Sequence, residues 1–515
     1  MTLDEIVRRN ALRFPGKRAL QFGDRCYSWK ELDTRVDRLA NALLRTGMDK
    51  GDRVALLLPN CPEYIELYLA IARCGLIAVP LNYRLTVREL GQMLTHAEPA
   101  LFVAGAEYAR TTSEIMTIFP QLQGSWVIGE STPQGAVRFE DVVAAAAATP
   151  VHGENSEHET FAIFYTSGTT GLPKGAMVSH FNLEMNSYNQ FIADRSLPSD
   201  INLVATPLYH MGAVFMAVTY MMLGCTQVIL PRFEPHAWLD AMDKSRATVS
   251  LLIPTMINMV LNEKNLDRYK LSALRLIFYG GGPMPSVVLE RAIEKLRCAF
   301  TQGYGLTETL EATFLEAGDH VLNGTQQQQQ RLQSAGREAV GAEVRIVDGD
   351  GNEVANGDVG EILVKSRSVI SGYWKAPDET ASVIRNDWFH TGDLGYLDED
   401  RYLFVVDRKK DMVISGGVNI YTKEIENVLF THPAVLEAAV IGLPDHEWGE
   451  VVTAVVVVRE NMELTATELI EYCRQSLASY KKPRQVFFHK SLPKNPSGKV
   501  LKRELRQTLK SGTQV

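Results

Sequence analysis

Through roughly the first 300 residues, apolar runs of strand length alternate with longer stretches of helical period. RVALLL (53–58), ALFVAG (100–105), FAIFYT (161–166), TQVIL (226–230), TVSLLI (248–253) and RLIFYG (275–280) are nearly continuous apolar segments, as expected of strands buried on both faces of a parallel sheet. EYIELYLAIARCG (63–75) and PSVVLERAIEKLR (285–297) read as helices between them. This alternation predicts an α/β fold whose large N-terminal domain is built on parallel-rich sheets. From about residue 335 the pattern shortens to EVRIVDGDGNEV (343–354), with an Asp-Gly turn, and GEILVKS (360–366), which predicts a small β subdomain over about 335–408. The last hundred residues then read as YLFVVDR, the helix KEIENVLFTH, the strands EAAVIG and VTAVVVV, and the helix ATELIEYCRQSLA. These predict a compact C-terminal α+β domain over 409–515, with the boundary from 1–408 in the charged segment DRKKD (407–411).

Residues 211–230 carry no charge over a length that could cross a bilayer. Gly224 divides them into a helix-like MAVTYMML piece and a β-like TQVIL piece, each of ordinary core length, so no transmembrane segment is expected. The 515 residues exceed what one core usually serves. A net charge of −8 and a pI near 5.9 argue against a nucleic-acid partner. Between Tyr480 and Lys510, however, ten Lys or Arg residues face one acid, Glu504. That segment reads either as a solvated basic face or as a surface for a polyanion. Six scattered cysteines without metal-ligand spacing, and an N-terminus MTLDEIVRRN with early acids and no apolar core, point to a reduced, cytoplasmic setting. The runs AAAAA (144–148) and QQQQQ (326–330) are too short to define a domain, and the glutamines are expected in an exposed loop. A homodimer and a peripheral membrane contact stay open.

Directly after the strand FAIFYT comes YTSGTTGLPKG (165–175), with three glycines, the hydroxyls of Thr166, Ser167, Thr169 and Thr170, and Lys174. Glycines let backbone N–H groups approach a phosphate, while hydroxyls and an ammonium add donors. It is not a Walker A loop, because Pro173 precedes the lysine and Gly175 follows it.

The string YTSGTTGLPKG resembles the phosphate-binding signature of the adenylate-forming superfamily, which includes acyl-CoA synthetases and aryl-CoA ligases. Further blocks similar to that family follow in order: PLYH (207–210), YGGGPMP (279–285), QGYGLTE (302–308), WFHTGDLGYLDED (388–400), YLFVVDRKKDMVISGGVNIYTKEIE (402–426) and LPKNPSGKVLKREL (492–505). The resemblance implies ATP, Mg²⁺ and CoA as cofactor and co-substrates. It places Thr166, Ser167, Gly168, Thr169, Thr170, Gly171 and Lys174 on the phosphates. Gly281, Gly282, Pro283, Gln302, Gly303, Tyr304 and Gly305 fall around the adenine, Thr307 on the α-phosphate, and Glu308 with Thr166 on the metal. Asp393 would accept the ribose hydroxyls, Arg408 would reach ribose or phosphate, and Lys410 would be a hinge. Lys499 would bridge acid and phosphate oxygens as the catalytic cation. Gly416 and Gly417 would line the thiol tunnel after the C-terminal domain swings, and Arg84, Trp448, Tyr480 and Lys482 would hold the CoA nucleotide. Val418 and Thr422 depart from the commonest pattern, in which position 422 is proline.

His210 is implied as a gate to, or stacking partner of, the acyl carboxylate. The acid is expected beneath His210, Met211, Gly212 and Ala213, against 279–281 and 302–304, with the 214–222 helix behind. PLYHMGAVF carries no acid, arginine or lysine, which disfavours amino acids and dicarboxylates. The expected activity is acid + ATP + CoA → acyl-CoA + AMP + PPi, with a medium- or long-chain fatty acid first and a benzoate- or cinnamate-type acid second. A fatty acyl-AMP ligase serving a carrier protein, and a non-enzymatic lipid-binding or transport protein, are the rivals.

Overall fold

The computed structural model describes residues 1–153, 155–166, 173–282, 284–494 and 500–510. Ser167, Gly168, Thr169, Thr170, Gly171, Pro283 and Lys499 lie outside the described residues. The remainder is a large N-terminal α/β domain with parallel-rich sheets and a small C-terminal domain.

One seven-stranded sheet runs in space as Val137–Arg138, Gly124–Ile128, Leu101–Gly105, Arg53–Leu57, Ile77–Pro80, Thr160–Thr166 and Lys174–Ser179. Its neighbours are parallel until the last pair, which is an antiparallel hairpin around the glycine-rich segment. A nine-stranded sheet is ordered Arg337–Glu338, Leu310–Leu315, Ala299–Leu306, Leu276–Gly280, Val249–Leu252, Ile201–Val204, Thr226–Ile229, Arg18–Phe22 and Arg25–Ser28. It is parallel from Ala299–Leu306 to Arg18–Phe22, with antiparallel strands at both edges. All six apolar runs form strands, and Leu101–Gly105 and Leu276–Gly280 are buried at every position. Double-sided burial explains why they lack polar alternation.

The helix Pro62–Arg73 is buried along its whole length, with Pro62 in the first turn. It carries a cation into the core: Arg73 is 0% exposed and lies 2.6 Å from Asp33 and 2.7 Å from Asp37. Arg73→Ala would leave the buried Asp37 and the partly exposed Asp33 without their cation. We expect a loss of about 3–5 kcal/mol, read as a lower urea midpoint of this domain; an unchanged midpoint would contradict the account.

The uncharged stretch 211–230 resolves into the helix Met211–Met222 and the strand Thr226–Ile229. Gly224, at φ +72°, makes the turn, and a Cβ there would come within 2.7 Å of the Phe14 ring. Among the described residues no helix is long and apolar enough to cross a membrane. The glutamine run departs from expectation, because Gln326–Arg331 is a short helix. Thr325 supplies its N-cap, accepting from the Gln328 amide, so the run is exposed but not a loop.

The strands Ala342–Val347, Gly360–Ser366, Ile384–Arg385, Trp388–Leu397 and Leu403–Arg408 form a separate antiparallel sheet. Leu403–Arg408, although it directly precedes the C-terminal elements in the chain, pairs with Trp388–Leu397 in this sheet. The C-terminal sheet begins at Val413–Ser415 and includes Val418–Ile420, Val435–Asp445, Gly449–Val458 and Gln485–Phe488. Its helices are Thr422–Thr431, Ala466–Ser476 and Lys502–Lys510.

Candidate active site

Thr166 and Lys174 face each other across the hairpin that closes the seven-stranded sheet. They bracket a site shared with the nine-stranded sheet. Thr166 Oγ1 donates to Glu308 Oε1 at 3.2 Å, and the Tyr373 hydroxyl donates to the same oxygen at 2.9 Å. Lys174 Nζ stands 5.1 Å from the centroid of the Tyr373 ring. Glu308 is buried, 9% exposed, in the turn that joins Ala299–Leu306 to Leu310–Leu315. A buried carboxylate oxygen beside two hydroxyls is an all-oxygen donor set that suits Mg²⁺, with phosphate oxygens needed to complete the shell. Thr307 lies half-buried in the same turn, which Thr309 pins by accepting from the Leu306 amide at 3.0 Å. Leu310 closes the turn at φ +51°, a costly conformation for a non-glycine residue, and its side chain is 1% exposed.

Four residues before Glu308, the Tyr304 hydroxyl donates to Asp393 Oδ2 at 3.0 Å. Asp393 is 5% exposed, and its Oδ1 lies 3.1 Å from Arg408 Nε without the alignment of a hydrogen bond. Arg408 is the register partner of Asp393 on the adjoining strand. Burial, with Asp393 close by, raises the Tyr304 pKa well above the ordinary range, so the phenol stays a donor. Gln302, Gly303 and Gly305 lie on the same strand. Gly281, at φ +76°, and Gly282 continue the neighbouring strand as exposed backbone. A Cβ on Gly280 would lie 2.7 Å from the Gly303 carbonyl oxygen, so these two strands pass too closely for side chains.

The sequence profile of the AMP-binding enzyme family matches residues 7–374, and that of the AMP-binding enzyme C-terminal domain matches residues 424–499. The chain belongs to the AMP-binding enzyme family. It is an adenylate-forming enzyme of the acyl- and aryl-CoA ligase type. It is 37% identical over 503 residues to a feruloyl-CoA synthase of an Amycolatopsis species, covering 97% of each chain. It is 32% identical to the long-chain-fatty-acid–CoA ligase FadD13 of Mycobacterium tuberculosis, covering 93% of this chain and 92% of that one. The crystal structure of ATP-bound MatB from Rhodopseudomonas palustris superposes with a TM-score of 0.89 at 34% identity, covering 100% of both chains.

The C-terminal candidates of this AMP-binding enzyme form another group. Gly416 and Gly417, at φ +58° and +78°, make the tight turn between Val413–Ser415 and Val418–Ile420. Gly416 donates its amide to the Trp448 carbonyl at 2.8 Å, and a Cβ on it would come within 2.9 Å of the Trp448 ring. Tyr480 is 55% exposed, Lys482 is half-buried, and Lys410 is exposed on the connecting segment. Arg84 instead joins the group around His210. Its guanidinium lies 6.0 Å from the Tyr83 ring centroid, and Tyr83 packs edge-on against Tyr209 at 5.1 Å. His210 caps the apolar helix Met211–Met222, and its Nε2 is buried without a partner. Burial, and secondarily Arg84, push its pKa down to about 4, so the ring is neutral at physiological pH.

Several participants carried no readable signal. Tyr373 had none, and Arg484, which lies 4.1 Å over the Trp448 ring, was hidden in the basic tail. Four of that tail's ten basic residues are committed to acids of the same chain: Lys481 pairs with Glu424, Lys494 with Glu437, Lys502 with Glu426 and Arg506 with Asp411. Thr422 has a purpose that proline could not serve. Both its amide and its hydroxyl donate to Asp407 Oδ2, tying the first C-terminal helix to the strand that carries Arg408. Tyr279 faces away from the expected acid slot, since its hydroxyl meets His320 at 3.0 Å on the opposite face of the sheet. Strand alternation gives the slot side to Phe278, which meets Phe215 of the apolar helix edge-on at 5.9 Å.

Proposed function

We propose that this enzyme converts an aromatic carboxylic acid into its CoA thioester, consuming ATP through an acyl-adenylate. The observation that carries the proposal is the shared turn: Tyr304, bound to Asp393, and Glu308, bound by Thr166, are four residues apart at the end of one strand. That spacing offers a ribose acceptor at one end and an oxygen set for metal and phosphate at the other, as one extended nucleotide requires. In this reading Asp393 and Arg408 bind ribose, Lys174 and the 166–171 hydroxyls bind phosphates, and Thr166 with Glu308 holds Mg²⁺. When bound, Mg²⁺ would offset phosphate charge. Lys499 draws the acid carboxylate to the α-phosphorus, and neutral His210 borders the carboxylate. The adenylate is already an activated anhydride, so thiol attack needs no protein nucleophile. Residues 1–408 would act as the adenylating body, with 335–408 as its β subdomain. Residues 409–515 would turn about Lys410 to bring Gly416, Gly417 and Trp448 to the thiol, while Arg84, Tyr480 and Lys482 serve the CoA nucleotide.

The sequence alone ranks an alkyl chain first. The slot wall supports the aromatic order instead, because Phe278 and Phe215 meet edge-on there. Similarity to a feruloyl-CoA synthase points the same way. Similarity to FadD13 keeps a long-chain acid as the second reading. The test is AMP release from ATP and CoA across benzoic, cinnamic and straight-chain acids. Turnover of aromatic acids is expected; turnover of alkyl acids alone selects the second reading, and AMP formation only with a carrier protein removes CoA as the acceptor.

A further inference from the structure

On the helix His180–Asp194, the residues Asn186, Gln190 and Asp194 repeat every four positions and are 0%, 0% and 3% exposed. Spacing of four puts them on one face, and that face is inside the protein. Part of this polar row is satisfied locally. Gln190 Nε2 donates to Asp194 Oδ2 at 2.5 Å, and Asn186 Oδ1 accepts the Glu311 amide at 3.0 Å. Four side-chain atoms of the group are buried and partnerless: Gln190 Oε1 and Asp194 Oδ1 lower in the row, and Asn186 Nδ2 and Glu311 Oε2 at its upper end, the pair nearest Gly303.

Their surroundings are those of the acid slot. A Cβ on Gly303 would lie 2.4 Å from Glu311 Oε2 and 2.5 Å from Phe278 Cζ, so the carboxyl and the ring both rest on Gly303. Gly303 pairs with Gly280 and directly precedes Tyr304 of the nucleotide group. Glu311 therefore sits where the aromatic slot runs up against the strand shared with the nucleotide site. We propose that Glu311 and Asn186 close the acid slot and select an aromatic acid bearing a ring hydroxyl over the same acid without it. The inference rests on the aromatic-acid reading above and names its substrate class.

The chemistry fits a hydroxyl. Burial, and then the neighbouring Asp194, push the Glu311 pKa up to about 8, so at neutral pH it is an uncharged acid with one donor and one acceptor. Asn186 Nδ2 offers a further donor. A hydroxyl can accept from the amide and exchange a hydrogen bond with the carboxyl, satisfying both atoms together. A bare ring edge or an alkyl terminus satisfies neither, and buried polar groups left unpaired discriminate strongly.

The experiment compares kcat/KM for benzoic and cinnamic acids carrying a hydroxyl at each ring position with that for the unsubstituted parents. The wild-type enzyme should favour its best hydroxylated isomer by at least about tenfold. Glu311→Gln, which keeps a donor and an acceptor, should hold the ratio within about threefold, whereas Glu311→Leu and Glu311→Met should bring it near unity. Difference infrared spectra of the wild-type enzyme should show the protonated Glu311 carbonyl band shifting with the hydroxylated acid and not with its parent. That band should vanish in Glu311→Gln. A hydroxyl preference that survives Glu311→Leu or Glu311→Met, or no preference in the wild type, overturns this inference alone. Turnover of alkyl acids only overturns it together with the aromatic reading.

Discussion

Lys499→Ala is expected to slow acyl-adenylate formation about 100- to 1,000-fold, while thioester formation from a supplied acyl-adenylate stays within about threefold of the parent enzyme. The first half-reaction brings a carboxylate onto an anionic α-phosphorus. A cation touching both sets of oxygens stabilises the transition state more than the ground state, which is the only way it can accelerate the step. The second half-reaction starts from an acyl group already activated, with AMP as the leaving group, and needs no such bridge. Residues flanking this lysine are firmly held. Lys494 and Val500 pair as an antiparallel bridge, Lys502 binds Glu426, and Arg506 binds Asp411. The substitution should therefore leave the unfolding midpoint unchanged. Pyrophosphate exchange measures the first step and thioester yield from synthetic acyl-adenylate the second; equal losses in the two assays would refute this division of labour.

Asp393→Ala should reduce kcat/KM for ATP by about 30- to 1,000-fold, equivalent to about 2–4 kcal/mol. Asp393 is buried, and its two oxygens already meet Tyr304 at 3.0 Å and Arg408 at 3.1 Å. Tyr304 donates a hydrogen bond and Arg408 supplies a neighbouring charge, so the carboxylate is oriented before nucleotide arrives and loses little freedom on binding it. In the proposed reading its removal deletes the ribose acceptor, and it leaves Arg408 without its counter-ion. Asp393→Asn, which keeps an acceptor for Tyr304, should fall between parent and Ala. The KM for the carboxylic acid should move far less than that for ATP. If acid KM rises and ATP KM does not, the assignment of this pair to ribose fails.

Thr422 illustrates how a sequence departure acquires meaning only in three dimensions. In the chain it is a replacement for proline with no evident purpose. In the structure its N–H, which proline lacks, reaches Asp407 Oδ2 beside the nucleotide strand. The neighbours of Arg84 and Trp448 are likewise set by the fold: Arg84 stands with Tyr83 near His210, and Trp448 with Gly416 and Arg484. Proximity between segments hundreds of residues apart is not encoded in any local pattern.

Local sequence determined what local physics controls. Apolar runs bounded by turns became buried strands, Gly224 split an uncharged stretch of bilayer length into a helix and a strand, and ordered glycine, hydroxyl and acidic motifs identified adenylate chemistry. Only the tertiary structure decided which faces those strands present and which distant groups converge. It turned Tyr279 toward His320, gave Glu308 the hydroxyls of Thr166 and Tyr373, and set Glu311 against Gly303 and beside Asn186 with buried atoms unpaired. The reason is physical: burial and hydrogen-bond satisfaction belong to the packed interior, and a carboxyl that looks like an ordinary strand residue in the chain becomes consequential once water is excluded from it.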